Sequence, residues 1–343
     1  MEELNFSKHT SLPVVTVRAP GKVILYGEHA VVYGEPALAM AINKYVYVTA
    51  RARSDNRINI NARDLKLAGI SVTINENGDI IARTDYGAVI SALSYVKRAV
   101  ELAMEYVDKK SGIDLEIRSE MPVGAGLGTS AAVAVATIYA YIRELGYDID
   151  KRELARLAWQ VERDVQGSAS PTDTTMATFG GIMYVKPEGN NTVMEPVRPG
   201  TTVPLIIGYV PRVSTTKDLV AMVRRKYETM RDVIEPIIRS IGIITRKGRE
   251  ALEKGDLELM GTLMNINHGL LDALGVSTKQ LNELVYAARS AGALGSKLTG
   301  AGGGGCMIAL SDRVEVEKAI ELTGGSVLKA VLDVNGVTVV SND

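Results

Sequence analysis

Residues 122–132 read Pro-Val-Gly-Ala-Gly-Leu-Gly-Thr-Ser-Ala-Ala, a composition suited to holding an anion. Glycine at every second position, Gly124, Gly126 and Gly128, lets successive N–H groups turn toward one point. Thr129 and Ser130 are placed to cap the helix expected from the alanine- and valine-rich run that follows. Such a turn offers orphan N–H groups and the positive end of a helix dipole to a phosphate. Better-known glycine frames do not fit. No lysine stands where a P-loop needs one, and there is no G-x-S-x-G elbow. Read from Gly124, the third Rossmann glycine is Thr129; read from Gly126, Ala131 fills that place, but the helix leads into another helix. A phosphate cradle of a different fold is expected.

Other residues could complete a site. The apolar run at 22–34 carries Lys22, Glu28 and His29, groups that are costly to bury unless paired or used. Asp173 lies in a polar stretch, 167–175, read as a turn region, where a catalytic carboxylate and an Asx-turn are both open. Glu162 and Asp164 sit on opposite flanks of one helical stripe, and periodicity does not choose between them. A second glycine run, 300–305, has five glycines in six positions. That costs more chain entropy than a turn requires, and close approach to a ligand or to the first loop would explain it.

These residues need a scaffold of mixed α/β type. Strands are expected at 14–18 (ending at Ala19-Pro20-Gly21-Lys22), 45–53, 57–61, 70–74, 112–118, 204–210 and 306–310. Helices are expected at 86–107, 131–145 (closed by Gly146), 150–165 (capped by Asp150) and 314–322. Three or four more fall between 216 and 291, with joints near Pro236, Gly255 and Gly275, and two short strands close the chain. With 343 residues, two domains are expected, divided at a loop near 188–191.

Apolar residues make up 46% of the chain and the formal net charge is −1, which argues against nucleic-acid or anionic-membrane partners. Residues 1–12 are polar and lack an apolar signal core. One cysteine, Cys306, forbids an internal disulfide and suits a reducing, cytoplasmic setting. With His9, His29 and His268 it cannot make a usual zinc site, so any metal should be a hard ion held by oxygens.

Three ordered motifs carry a resemblance. They are Ala19-Pro-Gly-Lys-Val with Gly27-Glu-His-Ala-Val-Val-Tyr-Gly34, the loop at 122–132, and Lys297-Leu-Thr-Gly-Ala-Gly-Gly-Gly-Gly-Cys306. Together they resemble the GHMP kinases, which act on galactose, homoserine, mevalonate and phosphomevalonate. Glu28-His29-Ala-Val-Val-Tyr-Gly and Asn267-His-Gly-Leu-Leu-Asp-Ala-Leu-Gly-Val-Ser277 are most similar to the mevalonate-phosphorylating branch, and Ala169-Ser-Pro-Thr-Asp173 is nearer its archaeal form.

The resemblance implies a two-lobed α/β (α+β) fold. An ATP-binding lobe like ribosomal protein S5 domain 2 would span 1–189, and a ferredoxin-like lobe 190–343. It implies transfer of the ATP γ-phosphoryl group to the 5-hydroxyl of mevalonate, with Mg²⁺ as cofactor and a homodimeric state. Phosphomevalonate, the mevalonate 3-hydroxyl and a non-catalytic sensor are the competing readings. By the same resemblance Pro122, Gly124, Ala125, Gly126, Leu127, Gly128, Thr129, Ser130 and Ala131 would bind nucleotide. Ser130 and Glu162 would hold Mg²⁺, with Thr129 a second hydroxyl in reach. Asp173 would accept the hydroxyl proton and Lys22 would stabilise charge. Glu28, His29, Arg212, Thr216 and Gly302 would meet the acceptor substrate.

Overall fold

Two long strands set the frame of this computed structural model, which describes residues 14–62, 71–74, 80–83, 89–122, 124–167, 169–188 and 191–342. β1 (Val14–Tyr26) and β2 (Ala37–Ala52) pair antiparallel along almost their whole length. β1 does not stop at Ala19-Pro20-Gly21-Lys22 as expected. The register shifts between Pro20 and Gly21, and this irregularity accommodates a proline that has no N–H to give the ladder. A Cβ on Gly21 would lie 2.1 Å from Met121 Sδ and 2.8 Å from the Leu127 carbonyl, so glycine there lets the first glycine loop close onto the strand.

The sheet continues through β3 (Ile58–Asn61), β4 (Ser71–Ile74) and β5 (Ile80–Arg83). After α1 (Val89–Val107) and β6 (Ile113–Ser119), three helices follow: α2 (Thr129–Glu144), α3 (Lys151–Gln166) and α4 (Thr172–Phe179). A hairpin, β7 (Ile182–Glu188) and β8 (Asn191–Val197), closes this part. The expected division at 189–190 lies outside the described residues, between Glu188 of β7 and Asn191 of β8.

Asp150 caps α3 by accepting from the Arg152 N–H, as expected. α4 corrects the reading of 167–175 as turn: Asp173 stands in the first turn of a short helix. Strands β5, β7 and β8 went unforeseen. Residues 1–12, the Glu-Asn-Gly turn at 76–78, the first residues of the expected helix at 86–88, Val123 and Ser168 lie outside the described residues.

The second half begins with β9 (Leu205–Val210), α5 (Thr216–Thr229), α6 (Arg231–Lys254), α7 (Leu257–Ala273) and α8 (Lys279–Ser290). It ends with β10 (Gly295–Leu298), β11 (Gly305–Leu310), α9 (Val314–Leu322), β12 (Ser326–Ala330) and β13 (Thr338–Asn342). Pro236 is not a joint. It sits inside α6, and the break between α5 and α6 is at Met230.

The first sheet runs β13-β1-β2-β6-β3-β4-β5, with β7 added beside β2 and β8 beside β7; the second runs β10-β11-β9-β12, all antiparallel. That second order, with helices between β9 and β10 and between β11 and β12, is the ferredoxin-like split β-α-β arrangement.

Alternation along β9 joins the halves. Leu205 and Ile207 face the larger core shared with the first sheet, whereas Ile206 and Val210 face a second core with α5 to α9. α2 is almost entirely buried, and its small residues at 131–136 let it lie between the sheet and helices α1 and α3. Its N-terminus lies at the edge of a cleft.

Candidate active site

Gly124, Gly126 and Gly128 all take left-handed φ values, +74°, +85° and +74°, which residues with side chains rarely adopt. The loop therefore curls before entering α2, as its alternating glycines predict. Capping differs from expectation: Gly128 is the N-cap and no side chain caps the helix, because Thr129 and Ser130 already belong to its first turn. The Ser130 hydroxyl instead donates to Glu162 Oε1 at 3.0 Å. The Thr129 hydroxyl is buried with no hydrogen-bond partner among the described residues.

The second glycine run backs onto the first. A Cβ on Gly300 would come within 3.4 Å of the Gly126 carbonyl, and one on Gly305 within 3.0 Å of the Ala125 carbonyl. The two loops bound a cavity of about 490 Å³, a size typical of small-molecule sites. Gly124, Gly126, Gly128, Thr129 and Ser130 line it, whereas Ala125, Leu127 and Ala131 are buried in the core and Pro122 lies outside the lining.

Lys22, Glu162 and Asp173 converge on this cavity from three distant segments. Lys22, nearly buried, has its Nζ 3.3 Å from Asp173 Oδ2 and donates to the Gly126 carbonyl at 3.3 Å. Its own N–H donates to the Leu127 carbonyl at 2.8 Å, which ties β1 to the loop. Glu162 is 3% exposed; burial first, then the Asp173 charge, push its carboxyl up to about 8. The flank ambiguity on α3 resolves, since Asp164 turns outward to Arg98 at 2.8 Å.

These donors suit a hard divalent cation. Glu162 and Ser130 offer a carboxylate and a hydroxyl side by side, Thr129 adds an unpartnered hydroxyl, and a cation would relieve the repulsion between Glu162 and Asp173. Among the described residues no group of three or more His, Cys, Asp or Glu could hold a metal ion by itself, so phosphate oxygens would have to complete such a shell.

Glu28 lines the cavity, 1% exposed, in an ion pair with fully buried Lys297 and accepting from Asn267 Nδ2 at 3.3 Å. Its carboxylate is thus engaged by protein. His29 lines the cavity and bonds through Nε2 to the Ala301 carbonyl at 2.9 Å; burial lowers its pKa.

Arg212 reaches three segments: Nη1 donates to the Gly124 carbonyl at 3.4 Å, and Nη2 to the Gly302 carbonyl at 3.3 Å and the Thr216 hydroxyl at 3.2 Å. Arg212 and Thr216 line the cavity; Gly302 stands behind Arg212. A Cβ on Gly302 would lie 2.1 Å from the Val276 carbonyl, which explains glycine there by packing.

Sequence reasoning missed Tyr95, Gln166 and Lys297. Tyr95 and Gln166 line the cavity from α1 and α3, and only helical spacing toward Ser130 could have marked them. A lysine at the head of the second glycine run was visible, but its buried partner was not.

Residues 94–181 match the model of the GHMP kinases N terminal domain, and residues 249–321 that of the GHMP kinases C terminal. Residues 5–52 match a galactokinase galactose-binding signature. The mevalonate kinase of Pyrococcus horikoshii is 51% identical over 318 residues, 91% of this chain and 93% of its own. That of Saccharolobus solfataricus is 33% identical over 324 residues, 94% of this chain and 98% of its own. The solved Methanococcus jannaschii mevalonate kinase is 26% identical with a TM-score of 0.75, covering 95% of this chain and 100% of that one. The L. major mevalonate kinase in complex with R-mevalonate, 24% identical with a TM-score of 0.78, covers 97% and 99% and shares the fold.

Proposed function

The chain belongs to the GHMP kinases, and from that premise we propose that it transfers the γ-phosphoryl group of ATP to the 5-hydroxyl of (R)-mevalonate, giving 5-phosphomevalonate for isoprenoid synthesis. The observation that carries this reading is the Lys22–Asp173 pair, 3.3 Å apart, facing the glycine-lined N-terminus of α2.

Phosphoryl transfer of this kind has a loose transition state, so the protein's work is positioning and charge stabilisation. Backbone N–H groups of the loop at 124–130 hold the triphosphate. Asp173 orients the acceptor hydroxyl and takes its proton as the bond to phosphorus forms. Lys22, paired with Asp173 at 3.3 Å, stabilises charge on the transferred oxygens. Ser130 and Glu162 would hold Mg²⁺, with Thr129 in reach, and the ion would offset phosphate charge when bound. His29 faces the substrate, and Arg212 with Thr216 forms the clamp for its carboxylate.

We also propose a nucleotide-binding lobe over 1–189 and a C-terminal lobe over 190–343. The pairing of β8 with β7 and of β13 with β1 means that both ends of the second lobe return to the first sheet. A homodimer and a cytoplasmic setting complete the proposal. Resemblance supports the former, and the single buried cysteine the latter. No helix among the described residues is long and apolar enough to cross a membrane.

The experiment is a coupled ADP assay with Mg-ATP and a panel of mevalonate, phosphomevalonate, homoserine and galactose. Turnover confined to mevalonate is expected. Turnover of galactose alone would instead follow the signature at 5–52, and ADP release with none of the panel would defeat the kinase reading.

A further inference from the structure

The ion pair of Glu28 with Lys297 belongs to no catalytic step, yet Glu28 lines the cavity beside His29. Both groups are essentially unexposed, and burying two charges is unfavourable unless geometry and further hydrogen bonds compensate. Asn267 supplies one such bond to Glu28, and Lys297 Nζ also donates to the Leu298 carbonyl at 2.6 Å. A buried pair of this kind is better suited to fixing one arrangement than to adding stability.

What it fixes can be read from its neighbours. Lys297 in β10, and Thr299 and Ala301 in the turn that follows it, each meet the end of β1 or the turn after it. The Thr299 hydroxyl accepts from the Ile24 N–H at 2.8 Å and donates to the Ile24 carbonyl at 3.1 Å; Ala301 accepts from the His29 ring. Between these ties the chain is strained. Gly27 takes φ +102° with no room for a Cβ, and His29 takes φ +61°, rare for a residue with a side chain. Glu28, between them, is the residue whose side chain anchors the turn to Lys297.

The ring orientation then has a chemical consequence. The Ala301 carbonyl can only accept, so Nε2 carries the proton, and burial disfavours a second one. Nδ1 is left with a lone pair and makes no hydrogen bond among the described residues.

We infer that Lys297 is a positioning residue for acceptor recognition: through Glu28 it holds the 27–29 turn so that His29 presents Nδ1 as an acceptor, selecting a substrate hydroxyl rather than an anionic group at that point. This inference rests on the proposed mevalonate reading for the identity of the hydroxyl.

The test uses the full chain, Lys297→Met, and the charge-free double variant Glu28→Gln/Lys297→Met, which leaves no unpaired buried charge. The expected result is a mevalonate KM raised about tenfold or more in both, with the ATP KM within about twofold. Either a wild-type mevalonate KM in the folded double variant, or equal rises for both substrates alongside a lowered Tm, overturns the inference.

With only three histidines in the chain, ¹⁵N NMR reads the tautomer directly, the His29 signals being those lost in His29→Asn. The wild type should show an Nε2–H tautomer whose Nδ1 resonance shifts upfield on adding mevalonate, and the double variant should lose that signature. An Nδ1–H tautomer, or an Nδ1 signal unmoved by saturating mevalonate, overturns the inference even if neither variant folds. If the wild type neither binds nor phosphorylates mevalonate, the proposed function fails, while the tautomer in the free protein and its dependence on Lys297 still decide the role of the pair.

Discussion

Replacing Asp173 with asparagine separates chemistry from nucleotide binding more cleanly than any other single change. The side chain keeps its shape at the start of α4, but it can no longer accept a proton or offset the charge of Lys22 at 3.3 Å. Lys22 keeps its bond to the Gly126 carbonyl and stays in place. General-base catalysis typically contributes 10²–10⁴-fold, so kcat should fall by about that factor, roughly 2.7–5.5 kcal/mol of lost transition-state stabilisation. The glycine N–H groups are untouched, and the ATP KM should stay within about twofold.

A second consequence follows at Glu162. Part of what raises its carboxyl is the Asp173 charge, so Asp173→Asn should lower it and tighten Mg²⁺ binding near neutral pH. The assay is steady-state ADP release with a Mg²⁺ titration at saturating ATP. A fall in kcat of less than about tenfold, or an ATP KM that rises as much as kcat falls, would refute Asp173 as the base.

The carboxyl of Glu162 also predicts a pH dependence. Its folded-state value is raised to about 8, so below that pH a proton competes with the metal. The Mg²⁺ concentration for half-maximal rate should fall by up to about tenfold per pH unit from pH 6 to 8, and Glu162→Gln should abolish the trend and raise the requirement throughout. The sign for stability is the reverse: the metal-free folded chain holds this proton more tightly than the unfolded chain, so melting temperature should drop as pH rises toward 8. Gly128→Ala puts a side chain at φ +74° with its Cβ 3.1 Å from Lys22 Cγ. It should cost about 1–2 kcal/mol by chemical denaturation and lower kcat more than tenfold, because Lys22 must shift.

Much of this site was legible in the residues because its parts are local. Alternating glycines allow the left-handed curl that Gly124, Gly126 and Gly128 make before α2, and a stripe of apolar residues specifies which face of α3 is buried. The convergence of Lys22, Glu162 and Asp173 was not legible from spacing. It depends on the bulge at Pro20–Gly21 that carries β1 onward, and on a short helix at 172–179 whose threonine-rich sequence reads as turn. The capping expectation for Thr129 and Ser130 failed because Gly128 already closes the helix, which frees both hydroxyls for the cavity side. Glu28 does line the cavity, but its ion pair could not be foreseen, because the partner Lys297 lies 269 residues away on another sheet. Buried ion pairs between distant segments leave no periodic trace.

The central claim is phosphorylation of a primary hydroxyl opposite Lys22 and Asp173, and ³¹P NMR of the product formed from mevalonate and Mg-ATP tests it most directly. Phosphate on the 5-oxygen is coupled to the two C5 protons and gives a triplet. A singlet, from phosphate on the proton-free C3 carbon, would contradict the account.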